Sequence, residues 1–283
     1  MDDTPLLDGR CGSFVVAKNK KRRGGLNLPY VKSRGKVKEN LSIVLVAHNE
    51  EAVIGEMIDG LLASYDNEIL EVIAIDDSST DNTSGVVESR AKKSSKVKLV
   101  RKGAPSGVGY ALRAGFRNVS PKAEYVLSMD SDFLENINDV RAMIGELEKK
   151  SLDGVIGSRF TEGGRLVGYP GDKRLMNRGY HAIVRAVFGI KQKDLTNNFK
   201  LYKAGIVRKM PWKSGGFSMN AETGMLPIIF GYEVGEVPVS WINRSPQMGK
   251  SKFKLFQVGW GYVQVMFYAM WLALFKKKEY SKK

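Results

Sequence analysis

Tyr125-Val126-Leu127-Ser128-Met129-Asp130-Ser131-Asp132 is the stretch on which the reading of this chain turns. A run of residues suited to a buried strand leads straight into two carboxylates one residue apart. At a strand end both carboxylates can face one hard cation. Mg2+ or Mn2+ takes oxygen ligands of this kind and shares them with substrate phosphates. A lone Asp-x-Asp is common in solvated turns, so its surroundings matter. Toward the N-terminus the pattern recurs: Leu41–Ala47 runs into His48-Asn49-Glu50, and Glu71–Ile75 into Asp76-Asp77-Ser78-Ser79.

Between these runs lie amphipathic stretches that predict helices over about 50–64, 81–93, 108–118 and 137–150, with further strands at Val97–Val100 and Gly154–Gly157. Apolar strands alternating with helices predict an α/β fold, a mostly parallel sheet covered on both faces. Ligands of such sheets bind at the carboxyl ends of the strands. Beyond residue 160 the order loosens. Gly163, Gly164, Gly168, Pro170 and Gly171 predict a flexible loop, followed by a basic helix over about 173–188. Met219–Phe230 reads as helix despite Pro227, and Val234–Val239 as strand.

The 283 residues carry a formal charge of +15, and its placement is informative. Residues 1–40 hold +6, Lys276–Lys283 hold +4, and the 235 residues between them only +5. Basic ends suit an anionic surface, a membrane leaflet or nucleic acid. Leu255–Phe275 is 21 residues without a formal charge, followed at once by Lys276, Lys277 and Lys278. Its length would span a bilayer. Gln257, Gly261 and Gln264 share one helical face, however, and Trp260, Tyr262, Tyr268 and Trp271 favour an interface, so a helix lying on a membrane surface is expected, with a terminal helix packed on the core as the alternative. Three parts are predicted: a basic extension over 1–40, the α/β domain over 41–252, and an apolar helix with a basic tail over 253–283. Cys11 is the single cysteine, which rules out an intramolecular disulfide and suits a reducing compartment. The first residues carry no secretory pattern. No helix-turn-helix, zinc or RNP-type motif is present, so no specific nucleic-acid partner is expected.

Several ordered segments resemble family 2 glycosyltransferases of GT-A fold, and within them the dolichol-phosphate mannose or glucose synthase branch. They are Val44–Glu50, Ile75–Thr83, Ser106–Ala111 with Gly115, Met129–Asp132, Gly157–Phe160 with Gly163 and Gly164, Asp194–Lys200, Glu236–Val239, and Arg244 with Gly249, Ser251 and Lys252. The resemblance implies a metal-dependent, inverting transfer of a hexose from a nucleotide sugar, GDP-mannose or UDP-glucose, to a polyprenyl phosphate. The terminal apolar helix and its flanking lysines support peripheral attachment to the cytoplasmic face of a membrane. Val46, His48, Glu50 and Asp77 would lie around the nucleotide. Asp130 and Asp132 would hold Mg2+ or Mn2+ and the diphosphate, with Ser131 beside them. Arg159, Lys173 and Arg174 would meet donor phosphate, and Arg244 and Lys252 the acceptor phosphate. Leu134 stands where the branch often has a glutamine, Lys173 aligns with an arginine, and Arg244 lies two residues further from Gly249 than is usual. Glu222 falls near the catalytic carboxylate of other members; an acid complementing a helix start explains it equally well. A phosphate acceptor needs no general base, being largely dianionic near neutral pH with a second pKa of about 6. An acceptor that is a soluble carbohydrate or protein would need one, and Glu222 would supply it.

Overall fold

The computed structural model describes residues 39–169, 171–242 and 255–282. Leu41–Ala47 forms β1, Ile69–Asp77 β2, Val97–Lys102 β3 and Tyr125–Asp130 β4. β2 and β4 flank β1 and β3 flanks β2, all in parallel register. Ile54–Tyr65 (α1), Thr83–Ala91 (α2) and Val108–Asn118 (α3) are the crossovers. A 3-10 turn at Leu134–Ile137 leads into α4, Asp139–Lys149, so the predicted helix over 137–150 begins as a tighter turn. Gly154–Ser158 is β5.

Next come Arg165–Val167 (β6), Gly171–Phe188 (α5), Lys200–Lys203 (β7), Ala204–Lys209 (α6), Ser218–Ile229 (α7), Val234–Pro238 (β8) and Ser240–Ile242 (β9). The main sheet has the order β3-β2-β1-β4-β7-β5-β8. β7 is antiparallel to both of its neighbours, while β5 and β8 are parallel. β6 and β9 make a separate two-stranded parallel pair. The sheet is therefore mixed and mostly parallel, as expected.

Successive side chains in a strand point to opposite faces, and β1 divides accordingly. Leu41, Ile43 and Leu45 pack with α1 and α4 in one core, while Val44 packs with α3, α5 and α7 in the other. α7 is buried from Ser218 through Pro227, which explains its lack of an apolar stripe; Pro227 sits in its last turn, where its carbonyl accepts the Tyr232 N–H.

Leu255–Phe275 is helical throughout (α8), and Lys277–Tyr280 (α9) follows. α8 lies along α7 and buries Val265, Ala269 and Leu272. Its outer side leaves Trp260, Phe267, Trp271, Leu274 and Phe275 between 47% and 71% exposed. Among the described residues no helix is long and apolar enough to cross a membrane. The tail is fastened to the domain: the Lys282 N–H donates to the Phe230 carbonyl, Lys282 Nζ pairs with Asp153 at 2.8 Å, and Lys209 Nζ donates to the Ser281 carbonyl.

Candidate active site

The carboxyl ends of β1, β2 and β4 meet in one corner, joined by side-chain bonds that the local sequence supplies. Asn49 takes a left-handed backbone (φ 59°), and its Oδ1 accepts the Thr80 N–H while its own N–H donates to Ser79 Oγ. Asn is among the few side chains that tolerate this conformation. His48 Nδ1 lies 2.8 Å from the Asp77 carbonyl, and the Glu50 N–H donates to Thr83 Oγ1. Burial opposes ionisation of Asp76, yet bonds from Ser79 and Ser84 hold its carboxyl below the usual range. Asp77 is nearly buried. Its Oδ2 accepts Ser106 Oγ and the Gly107 N–H, and its Oδ1 pairs with Lys102 at 2.8 Å. Asp77 thus ties the β3–α3 loop to the corner.

Asp130 and Asp132 stand on the next strand. Ser131 Oγ donates to the Val46 carbonyl and pins the turn to β1. Asn198 Nδ2 donates to Asp130 Oδ1 at 2.8 Å, so one carboxylate is oriented by an amide. Asp132 is 7% exposed. His48 is accordingly bonded to Asp77 and Ser131 to Val46, and Asp130 pairs in register with Val46, with Glu50 and Asp132 close to them in the chain. Among the described residues no group of three or more His, Cys, Asp or Glu could enclose a metal. One carboxylate oriented by an amide and a second, buried one two residues on fit a hard cation that keeps waters and borrows phosphate oxygens, the usual habit of Mg2+.

Behind this corner the segment 194–200 forms a bracket that sequence reading did not assign to the site. The Arg159 N–H and Nε donate to Asp194 Oδ2, and its Nη2 donates to Asp194 Oδ1. Burial weakens both charges, but each holds the other ionised, raising Arg159 and lowering Asp194. Arg159 was expected to meet phosphate; its guanidinium is 9% exposed and engaged by this internal partner. His181 Nδ1 donates to the Asn177 carbonyl, its Nε2 accepts the Leu195 N–H, and burial lowers its pKa, so the ring is neutral. Ser128 Oγ donates to the Asn198 carbonyl. Lys200, on β7 opposite Ser128, is fully buried; its Nζ donates to the Asn197 and Asn220 carbonyls, and burial pulls it down to about 7. Tyr169 and Phe133 both pack on Trp241, with centroids 4.8 and 6.0 Å away, and give the turn after Asp132 an aromatic flank.

Glu222 is the expected site residue with the most different placement. It is fully buried in α7, and its oxygens accept the Lys213 and Ser214 N–H groups at 2.6 and 2.7 Å. The carboxylate anchors the loop before α7, which in turn accepts the Gly109 and Tyr110 N–H groups through Gly215. Both Glu222 oxygens are engaged in that anchorage. Arg174 is exposed near the start of α5. The Lys173 side chain, Arg244 and Lys252 lie outside the described residues.

A mostly parallel sheet with an acidic turn at its carboxyl edge is the GT-A architecture, and the class it defines here is a glycosyltransferase. The family model for Glycosyl transferase family 2 matches residues 42–210, and the chain belongs to that family. Its relatives include undecaprenyl-phosphate mannosyltransferase of Micrococcus luteus, 25% identical over 199 residues that cover 69% of this chain and 80% of that protein. Dolichyl-phosphate beta-glucosyltransferase of Saccharomyces cerevisiae is 27% identical, covering 71% of this chain and 66% of that protein. In fold the chain is similar to glucosyl-3-phosphoglycerate synthase from Mycobacterium tuberculosis, solved with Mn2+, uridine-diphosphate-glucose and phosphoglyceric acid. The TM-score is 0.61 at 19% identity, covering 84% of this chain and 79% of that one.

Proposed function

We propose that the chain transfers a hexose, mannose or glucose, from a nucleotide sugar to the phosphate of a polyprenyl lipid while resting on the cytoplasmic face of a membrane. The carrying observation is the outer side of α8, where Trp260, Phe267, Trp271, Leu274 and Phe275 are exposed and are followed in the chain by the exposed Lys276, Lys277 and Lys278. Aromatic side chains and lysines in this arrangement suit the headgroup region of an anionic leaflet. The names of the M. luteus and S. cerevisiae relatives point to the same acceptor chemistry.

In this reading the nucleoside lies against His48, Glu50 and Asp77, and the diphosphate lies at the turn 130–132. Asp130 and Asp132 would hold Mg2+ or Mn2+, which when bound neutralises charge growing on the departing diphosphate. The lipid phosphate oxygen attacks the anomeric carbon from the face opposite the leaving group, so the configuration inverts. No side chain has to remove a proton from a phosphate dianion. Engagement of both Glu222 oxygens by main-chain N–H groups is consistent with that chemistry.

The second reading keeps the donor and takes a soluble hydroxyl acceptor. It is favoured by the likeness in fold to a synthase solved with phosphoglyceric acid. The purified chain, incubated with labelled GDP-mannose or UDP-glucose, Mn2+ or Mg2+ and detergent-dispersed undecaprenyl phosphate, is expected to yield an organic-extractable labelled lipid. Label found only in water-soluble products would overturn the lipid reading.

A further inference from the structure

A groove of about 1020 Å3 lies between α8, the N-terminus of α3 and the loop 213–218. Its inner end is formed by Ser106 and Gly107, the two residues bonded to the Asp77 carboxylate, so it opens beside the donor corner. That wall is closely built: a Cβ on Gly109 would meet the Ser214 carbonyl oxygen at 2.5 Å. Its outer end runs along α8 past Trp260, Val263, Phe267 and Trp271, reaching the exposed apolar side of that helix. A cation lines the groove: Lys213, whose Nζ lies 5.0 Å from the Tyr268 ring centroid.

We propose that this groove seats the hydrocarbon chain of the polyprenyl phosphate, with its anionic end toward the Lys213 rim. The inference rests on the lipid-acceptor reading above. Lys213 in the lining and the aromatic side chains along α8 match an amphiphile with one anionic head and one apolar tail. A polar acceptor would leave the α8 wall without a partner. The groove is also continuous with the helix face assigned to the membrane, so a chain can enter it without crossing water. Its wall on α8 faces away from α5, which approaches α8 through Tyr180 and Tyr262 with centroids 4.9 Å apart.

Gly216 allows a direct test, because it lines the groove and a Cβ there meets nothing within 4 Å. Gly216→Phe therefore obstructs the groove without crowding the backbone. Initial rates are measured with geranyl phosphate and with undecaprenyl phosphate, at fixed donor and in the same detergent. The wild-type chain is expected to favour the long acceptor by about tenfold or more in KM. Gly216→Phe, and independently Val263→Asp, are expected to collapse that preference. A wild-type preference that both variants retain would overturn the groove while leaving the lipid reading intact, and so would indifference to chain length. Absence of transfer to either phosphate refutes the lipid reading and the groove with it.

Discussion

Replacing Glu222 by glutamine separates the two acceptor chemistries. The carboxylate accepts two main-chain N–H groups, from Lys213 and Ser214. Glutamine keeps one acceptor and turns its own NH2 toward the second donor. A hydrogen bond to a charged group is worth about 1.5–3 kcal/mol. Burial raises the Glu222 pKa, so the neutral amide recovers part of the desolvation cost that the carboxylate bears. The expected net loss is about 1–2 kcal/mol, or roughly 2–8 °C in Tm for a domain of this size. Transfer to lipid phosphate should fall by less than about tenfold, since the residue holds a loop and moves no proton. Loss of a general base typically costs about a hundredfold to ten-thousandfold in rate. Urea unfolding and kcat would be measured on one preparation. Unchanged stability with kcat down a hundredfold or more would refute the anchoring role and restore Glu222 as a base.

Asp132→Ala should reduce transfer by at least about a thousandfold with an unchanged far-UV spectrum, because a ligand of the cation that would neutralise the departing diphosphate is lost; retention of most activity would end the metal assignment. Asp194→Ala strands the buried Arg159 charge and should cost about 3–5 kcal/mol in a denaturant titration, the scale for breaking a buried pair. Lys200 sits at about 7 in the folded chain against 10.5 ordinarily, so between those values the unfolded chain binds a proton that the folded one lacks. Its penalty is complete below about 7, and stability should rise with pH across that window; Lys200→Met should flatten the rise, and an unaltered slope would contradict it. Full-length protein should float with anionic vesicles, partly resisting salt because the aromatic contribution is not screened, and Phe267→Ser with Trp271→Ser should weaken flotation severalfold.

The parallel half of the sheet was legible because β1, β2 and β4 are buried on both faces and so read as continuous apolar runs. β7 was not legible: Lys200-Leu201-Tyr202-Lys203 has charged ends, and its first lysine is buried only because the Asn197 and Asn220 carbonyls receive it. β6 and β9, three residues each, are too short for any periodicity to register. In the site, Asp77 and Asp130 stood out because each ends a strand, and Asp132 because it follows two residues after one. The work of Asn198 on Asp130 crosses 68 residues of chain, a relation no local pattern carries. The pairing of Arg159 with Asp194 is equally nonlocal, since the two lie 35 residues apart. The motif Asp194–Lys200 was visible as a resemblance, but its task as a bracket behind the acidic turn emerged only from its bonds.

The fastening of the chain's end has a mechanical consequence. Lys282 is moored to Asp153 and to the Phe230 carbonyl, and Ser281 to Lys209, while Tyr268 Oη donates to the Pro211 carbonyl midway along α8. Moored at its far end and its middle, α8 behaves as a keel and not as a tether. A surface that seats the keel fixes the tilt of the whole sheet, and with it the direction in which the acidic turn opens. Cutting the mooring, as Asp153→Ala would begin to do, should therefore spoil aim before it spoils adhesion: vesicle binding would persist while turnover on a membrane-held acceptor declines.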